Sequence, residues 1–384
     1  MKPDLLIPFN VPYLSDQSYL ELMRVIESKH FSGDGDSSTK CNSILSELTG
    51  GGKSLLTTSC TAALEMSSLL IDLSPGDEVI LPSFTFTSAA LAVVNYGATP
   101  VFVDIDPTTK NIDVNQVSEA ITPKTKAISV VNYAGVACDY ESLKAICEKN
   151  DLFLIEDNAH GLGARYRGIQ LGSFGDFATQ SFHETKNVQC GEGGAIVLNN
   201  FKYYDKSEIL REKGTDRSKF TQGQVNKYQW VDKGSSYLMS EFLAGILLGQ
   251  LNEFEAIQTR RRNIWEYYSV ELKEWAFKSG IKLMQVPMES EQSYHMFYCE
   301  AQSLEQRTML LSKLREKGIL AVFHYQSLHS SKAGERFGKT LNKLVHSDNA
   351  SNLLFRLPLY YDLNDSNVEK IVSELKGIEL GTTH

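Results

Sequence analysis

Between about residues 50 and 200 the chain alternates short apolar runs with amphipathic stretches, and this rhythm restricts its folds more than any other feature. The runs are KSLLTT (53–58), EVIL (78–81), PVFVD (100–104), AISVV (127–131), LFLIED (152–157), FATQSF (177–182) and AIVLN (195–199). They are short and often β-branched, which suits strands buried on both faces. Between them TAALEMSSLLI (61–71), SAALAVVNY (88–96) and YESLKAICEK (140–149) read as helices. The alternation predicts an α/β fold with a mostly parallel sheet covered on both sides.

After residue 200 the rhythm changes. A long helical pattern runs from near Ser240 to about Trp275. Strand YHMFYCEA (294–301), helix EQRTMLLSKLREKG (305–318), strand ILAVFHY (319–325) and a helix around 365–376 follow. With 384 residues the chain can hold two cores. We expect a large domain over 1–250 and a smaller α+β domain over 251–384, joined through the long helix.

The formal net charge of −9 argues against nucleic acid as a partner, which would call for a basic face. The six cysteines (Cys41, Cys60, Cys138, Cys147, Cys190 and Cys299) form no C-x-x-C pair, and reduced, buried thiols are expected. MKPDLLIPFN has no apolar leader core, and no stretch approaches the roughly 18 apolar residues of a spanning helix. The expectation is a cytoplasmic protein without a membrane partner.

In open parallel sheets ligands gather at the carboxyl ends of strands, and three such ends carry chemistry. Asp157 closes LFLIED. It reads either as the cap of a following helix or as a partly desolvated carboxylate that needs a cation. The pyridinium of pyridoxal 5′-phosphate (PLP) is such a cation, and an ionised Asp keeps its ring an electron sink. Lys186 follows FATQSF within SFHETKNVQCGEGG (181–194). It reads either as solvated surface or as a desolvated amine made nucleophilic towards an aldehyde. The turn Gly191-Glu192-Gly193-Gly194 would let backbone approach a ligand closely.

The third end, TTSCTAALE (57–65), leads from a strand into a helix, whose free N–H groups suit phosphate. Cys60 and Thr61 are candidates there, with Ser181 adding a hydroxyl; simple capping by Ser59 is the alternative. GGGKS (50–54) is no nucleotide-hydrolase loop, because Glu47 stands where that pattern needs glycine. In PSFTFTSAAL (82–91), Phe86 could stack on a pyridine ring or lie in the core. No metal site is expected, since His183-Glu184 does not extend to H-E-x-x-H and no Cys/His cluster has ligand spacing.

At these residues the chain resembles the DegT–StrS group of PLP-dependent sugar-nucleotide aminotransferases. The likeness runs from IPFN (7–10) and Gly33-Asp34-Gly35 through SCTAALE, PSFTFTSA, VFVDID, IEDNAHGLGA and SFHETKN to HMFY (295–298) and FHYQSLH (323–329). It implies the type I PLP fold: a large domain with a mostly parallel, mixed seven-stranded sheet plus a smaller α+β C-terminal domain. It makes Lys186 the lysine that carries the cofactor and Asp157 the pyridinium partner. His160 falls near the phenolic oxygen, where many relatives have glutamine. Cys60, Thr61 and Ser181 would bind phosphate, and Phe86 would stack on the ring. Ser236, where the group often has asparagine, would reach the cofactor of a second subunit in a homodimer with shared sites. Gly33, Asp34, Gly35, His324, Tyr325 and His329 are the candidates for sugar contacts, with packing of the small domain the alternative for the last three.

The implied reaction takes an amino group from L-glutamate through the pyridoxamine 5′-phosphate form to carbon 4 of a nucleotide-linked keto-sugar. SFHETKN, REKGTDRS (211–218) and GSSYLMS (234–240) are most similar to the branch that converts dTDP-4-keto-6-deoxy-D-glucose into dTDP-4-amino-4,6-dideoxy-D-galactose. Such products serve lipopolysaccharide or other surface polysaccharide. The gluco epimer, a 3-amino product and a UDP-linked sugar stand as alternatives within the group. A dehydratase of the same fold has histidine in place of the lysine, so Lys186 argues against it. A non-catalytic regulator that kept the fold is the alternative of another class.

Overall fold

The structure, a computed structural model, describes residues 7–379. Residues 1–6, the start of the stretch read for a leader, lie outside them. The seven apolar runs form β1 (Lys53–Thr57), β2 (Glu78–Pro82), β3 (Thr99–Val103), β4 (Thr125–Val131), β5 (Phe153–Asp157), β6 (Phe177–Ser181) and β7 (Gly194–Leu198). They share one sheet in the order β1-β7-β6-β5-β4-β2-β3, and a two-residue strand, Lys339–Thr340, extends it beside β3. The stretch β6-β5-β4-β2-β3 is parallel, while β7 runs antiparallel to both β6 and β1.

Successive residues along the strands enter opposite cores. Val79, Ala127 and Ile155 pack with helix Cys60–Leu70 on one face. Ile80, Ile128 and Leu154 pack with Val117 and Leu143 on the other. Burial of each larger aliphatic contributes about 1.5–3 kcal/mol, so the unbroken apolar runs are what a sheet with two covered faces requires. Gly194 pairs with Thr57 on one side and Ser181 on the other. A Cβ there would collide with the backbone of Ser59 and Cys60. Glycine therefore lets the start of helix Cys60–Leu70 rest against the sheet edge.

The pattern read as one helix from Ser240 to Trp275 is three helices in series: Glu241–Asn252, Phe254–Glu271 and Lys273–Lys278. The first packs Leu247, Leu248 and Leu251 with Cys41 and Leu45. The second sends Ile264 and Tyr268 into a C-terminal core with Phe297, Leu310, Phe355 and Ile371. A break at Glu253 redirects the chain between these two cores, and no glycine or proline marks it in the sequence.

A second sheet, antiparallel throughout, has the order Lys282–Leu283, Phe297–Glu300, Leu354–Leu357, Val322–Phe323. The two strands read from sequence here are shorter than expected, and His324-Tyr325 lies beyond the second rather than in it. Leu354–Leu357 is a strand that the sequence pattern did not reveal. Ile7 pairs with Ile319 and lies in the C-terminal core. A cluster of Phe84, Val131 and Tyr133 with Met296, Tyr298 and Leu354 joins the two sheets. Among the described residues no helix is long and apolar enough to cross a membrane.

The Gly33-Asp34-Gly35 turn is tied into this framework. Both Asp34 carboxylate oxygens accept from Arg211 Nη2 at 2.7 Å. The Glu241 carboxylate accepts from the amides of Gly35, Ser37 and Ser38 at 3.0, 2.9 and 3.1 Å, and also from the Ser38 hydroxyl. It thereby caps helix Asp36–Leu48, whose own N-cap residue Gly35 has no side chain to do so. Glu241→Ala would strand these donors in a buried place. It is expected to lower unfolding stability by about 2–3 kcal/mol, read as a lower urea midpoint at unchanged slope.

Candidate active site

A cavity of about 550 Å³ opens where the large sheet's edge meets the C-terminal sheet. Because β2, β4, β5 and β6 are parallel, Phe86, Tyr133, Asp157 and Ser181 follow or close strands at this one edge. The turn after β1 joins them through the Thr57–Gly194–Ser181 pairing.

Helix Cys60–Leu70 begins at this edge. Ser59 Oγ accepts from the Ala62 amide at 3.1 Å, so the expected cap exists. The amides of Cys60 and Thr61 meet no acceptor among the described residues. Thr61 Oγ1 and Ser88 Oγ are 2.7 Å apart, and both line the cavity with Ser181. Thr85 Oγ1, buried in the same cavity lining, meets no partner among the described residues. Free amides at a helix start with hydroxyls around them form an anion cradle.

Asp157 is 5% exposed, and its Oδ1 accepts from the Ala159 amide at 3.1 Å. No helix follows it, so the capping role falls away. Burial raises its carboxyl pKa, opposed by the Ala159 amide and the charge of Lys186. No cation pairs with it among the described residues. A carboxylate held this way gains most from a cation brought in by a ligand.

Lys186 stands in the loop between β6 and β7. The loop is pinned by Phe182 and Cys190 amides donating to Gly193 and Phe182 carbonyls at 2.8 and 2.9 Å, and by the Lys186 amide donating to the His183 carbonyl at 2.8 Å. The ammonium is pushed down from 10.5 to about 8, chiefly by burial, against the attraction of Cys60 and Asp157. A substantial neutral fraction near neutrality makes this amine a nucleophile.

His160, 4% exposed, accepts from the Ala134 amide at Nδ1 (3.3 Å). That backbone donor assigns the proton to Nε2, which lies 3.2 Å from the Tyr325 hydroxyl. Ala134 adopts φ 57°, a left-handed conformation costing a non-glycine residue about 1–2 kcal/mol. His160 stacks on His295 with centroids 4.4 Å apart, and the Tyr133 hydroxyl is 2.6 Å from His324 Nδ1. Burial lowers the pKa of all three histidines well below the usual value and keeps them neutral. Phe86 is 54% exposed at the cavity wall, its ring 6.0 Å from that of Tyr325.

The cavity thus gathers Cys60, Thr61, Phe86, Asp157, His160, Ser181, Lys186, His324 and Tyr325. It does not gather the others. Gly33, Asp34 and Gly35 lie in the framework, and Ser236 is exposed, bridged to Glu212. His329 Nδ1 is 2.7 Å from Ser83 Oγ and its Nε2 is 3.7 Å from Asp348, away from the cavity lining. The structure adds Thr85, His295 and Arg356, which residue-by-residue reading passed over. Thr85 and His295 fall inside the quoted segments PSFTFTSA and HMFY, so only their roles were unread. Arg356 had no signal, because its strand had none.

An anion cradle, a buried carboxylate lacking a cation and an amine of lowered pKa match the phosphate, ring nitrogen and aldehyde of PLP. The sequence matches the DegT/DnrJ/EryC1/StrS aminotransferase family over residues 12–376. The chain belongs to that family. It is 29% identical to an uncharacterized protein of Methanocaldococcus jannaschii over 98% of both chains. Among solved structures it is similar to a Streptococcus pneumoniae protein assigned as a sugar aminotransferase, known in PLP and pyridoxamine phosphate forms. The PLP form has TM-score 0.88 and 28% identity, over 96% of this chain and 97% of that one. The pyridoxamine phosphate form gives TM-score 0.89. The aminotransferase TlmJ of Streptoalloteichus hindustanus gives TM-score 0.88 at 26% identity, over 96% of this chain and 98% of that one. The family member described here is a transaminase, and its cofactor is PLP, which alternates with pyridoxamine phosphate.

Capture of PLP by the apoprotein requires the neutral amine. Its rate, followed by visible absorbance in stopped flow, is expected to rise with pH through about 8 and then level off. A rise continuing towards the ordinary lysine value would show that Lys186 is not the capturing group.

Proposed function

We propose that the protein transfers the amino group of L-glutamate to carbon 4 of dTDP-4-keto-6-deoxy-D-glucose, releasing 2-oxoglutarate and dTDP-4-amino-4,6-dideoxy-D-galactose. The observation that carries the chemistry is the meeting of Lys186 and Asp157 in one cavity with the open start of helix Cys60–Leu70. The choice of sugar rests on the likeness of SFHETKN, REKGTDRS and GSSYLMS to the galacto-forming branch.

Bound PLP supplies an electron sink through its protonated ring nitrogen. In this reading Asp157 keeps that nitrogen protonated, and the Cys60 and Thr61 amides with Ser181 hold the phosphate. Phe86 covers the ring, and His160, whose Nε2 proton goes to the Tyr325 hydroxyl, lies near the phenolic oxygen. Lys186 would hold the cofactor, and its amine would take and return the proton at the substrate carbon. Residues 1–250 act as the cofactor domain and 251–384 as the small domain. His324 and Tyr325 face the sugar. Ser236, exposed and outside its own chain's cavity, serves a second copy in a homodimer. Exposed Leu20, Met23, Phe31, Phe242 and Trp230 support that assembly by offering apolar surface. The product enters lipopolysaccharide or another surface polysaccharide from the cytoplasm.

Two measurements test this. Asp157→Asn is expected to keep the cofactor but lose roughly 100- to 1000-fold in turnover, the scale of one fixed electrostatic contact. Retained near-normal turnover would return Asp157 to a structural part. A panel of keto-sugar nucleotides, with product identified by proton NMR, tests the substrate. A small coupling between the protons on carbons 3 and 4 marks the axial amine of the galacto product. A large diaxial coupling marks the gluco epimer and overturns that choice of product.

A further inference from the structure

The two stacked histidines of the cavity wall, His160 and His295, have opposite hydrogen-bond polarity. His160 carries its proton on Nε2 and gives it to Tyr325. His295 has its Nδ1 2.9 Å from Asn187 Oδ1. Main-chain carbonyls, which only accept, settle which of these two atoms donates. Asn187 Nδ2 donates to the Ser293 carbonyl at 2.7 Å and to Gln258 Oε1 at 2.8 Å. Gln258 Nε2 in turn donates to the Leu162 carbonyl at 3.4 Å. Both amides are thereby fixed in orientation, and Asn187 has only its oxygen to offer His295. The His295 proton is therefore on Nδ1.

The ring takes no second proton. Burial above all, and then the neighbouring His160, Lys186, Arg261 and Arg356, disfavour its charged form. Nε2 is left with a lone pair that meets no donor among the described residues, on a side chain that lines the cavity. A desolvated acceptor without a donor is costly, and a ligand that brings an N–H or O–H removes the cost.

Few groups that enter this cavity can do so. The ring nitrogen of the cofactor is matched to Asp157, and its phosphate carries no donor to spare. Carboxylates and diphosphates only accept, and the ammonium of the amino donor is the group transferred. Hydroxyls of the sugar nucleotide remain. His295 is bonded to the residue that follows Lys186 and feels the charge of the lysine. The ribose and base hang from the diphosphate on carbon 1, across the pyranose ring from the carbon that is aminated. A hydroxyl on the carbon next to the carbonyl lies within reach of both Lys186 and His295.

We propose that His295, held by Asn187 in its Nδ1–H form, accepts a hydrogen bond from the sugar hydroxyl beside the reacting carbonyl and so selects a keto-sugar that carries one. Asn187 is the positioning residue. This rests on the proposed sugar, in which that group is the 3-hydroxyl.

The test removes the hydroxyl and the acceptor in turn. Pyridoxamine-form enzyme is mixed with dTDP-4-keto-6-deoxy-D-glucose or its 3-deoxy analogue, and PLP-form enzyme with L-glutamate, each followed by cofactor absorbance in single turnover. Wild-type enzyme is expected to prefer the hydroxylated sugar about 10- to 100-fold, the scale of a buried acceptor left unpaired. His295→Phe keeps a flat ring against His160 and loses the acceptor. It should reduce the preference to about threefold or less on the same scale, and cost the sugar half much more than the glutamate half. Proton–nitrogen NMR of holoenzyme isotope-labelled at its histidine nitrogens reads the tautomer without turnover, with His295→Phe assigning the signal. Wild-type His295 should show a protonated Nδ1 and a bare Nε2, and Asn187→Leu should move it towards the Nε2–H form and weaken the preference for the hydroxyl. A preference that is absent in wild-type enzyme or survives His295→Phe overturns the proposal, as does a wild-type proton on Nε2. Equal losses in both halves overturn it and leave the ring a packing role. An unchanged tautomer in Asn187→Leu overturns the role given to Asn187. Failure of the sugar reading looks different: the pyridoxamine spectrum would not change with the hydroxylated sugar while the PLP form still responded to L-glutamate, and the proposal would fall with that reading.

Discussion

The parallel run β6-β5-β4-β2-β3 is the constraint on which the site depends. Parallel strands end on one side, so residues scattered from Phe86 to Ser181 arrive at a single edge without any contact between them having to be selected. The antiparallel turnaround through β7 then brings Thr57, and with it the helix start at Cys60, to the same edge. Reversing one of the inner strands would scatter these groups to opposite ends of a sheet about five residues long.

At that edge burial acts on two groups with opposite sign. It raises the Asp157 carboxyl and lowers the Lys186 ammonium, so the charged form of each is less favoured than it is in water. Their mutual attraction offsets the effect only in part, and they form no direct ion pair. The site therefore keeps a reserve of electrostatic stabilisation that a ligand with a cationic ring and an anionic tail can release.

Much of this was legible in the sequence because it follows from period and position. Each apolar run of the large sheet became a strand, and Asp157 and Lys186 stood where the runs end. What was not legible lacks a periodic signal. Leu354–Leu357 is four residues with arginine in the middle, too short to show alternation, so the guanidinium it carries had no address. The break at Glu253 is set by two cores facing different ways, which a helical repeat does not record. The Gly33-Asp34-Gly35 turn is a conspicuous motif, yet its residues are engaged with Arg211 and Glu241, partners about 180 and 200 positions away.

The hydrogen bond from Ala134 to His160 has a directional consequence. A backbone amide can only donate, so the imidazole must receive at one nitrogen and give at the other. The Tyr325 oxygen receives that proton, and its own proton is left to turn towards the cavity. Peptide, imidazole and phenol form a one-way series whose polarity is written by a main-chain group that no pH change can invert. A group that accepts hydrogen bonds at that wall can take one from the Tyr325 hydroxyl, whose acceptance from His160 is already fixed. The strained turn at Ala134 thus sets the chemical sense of a surface two residues removed from it.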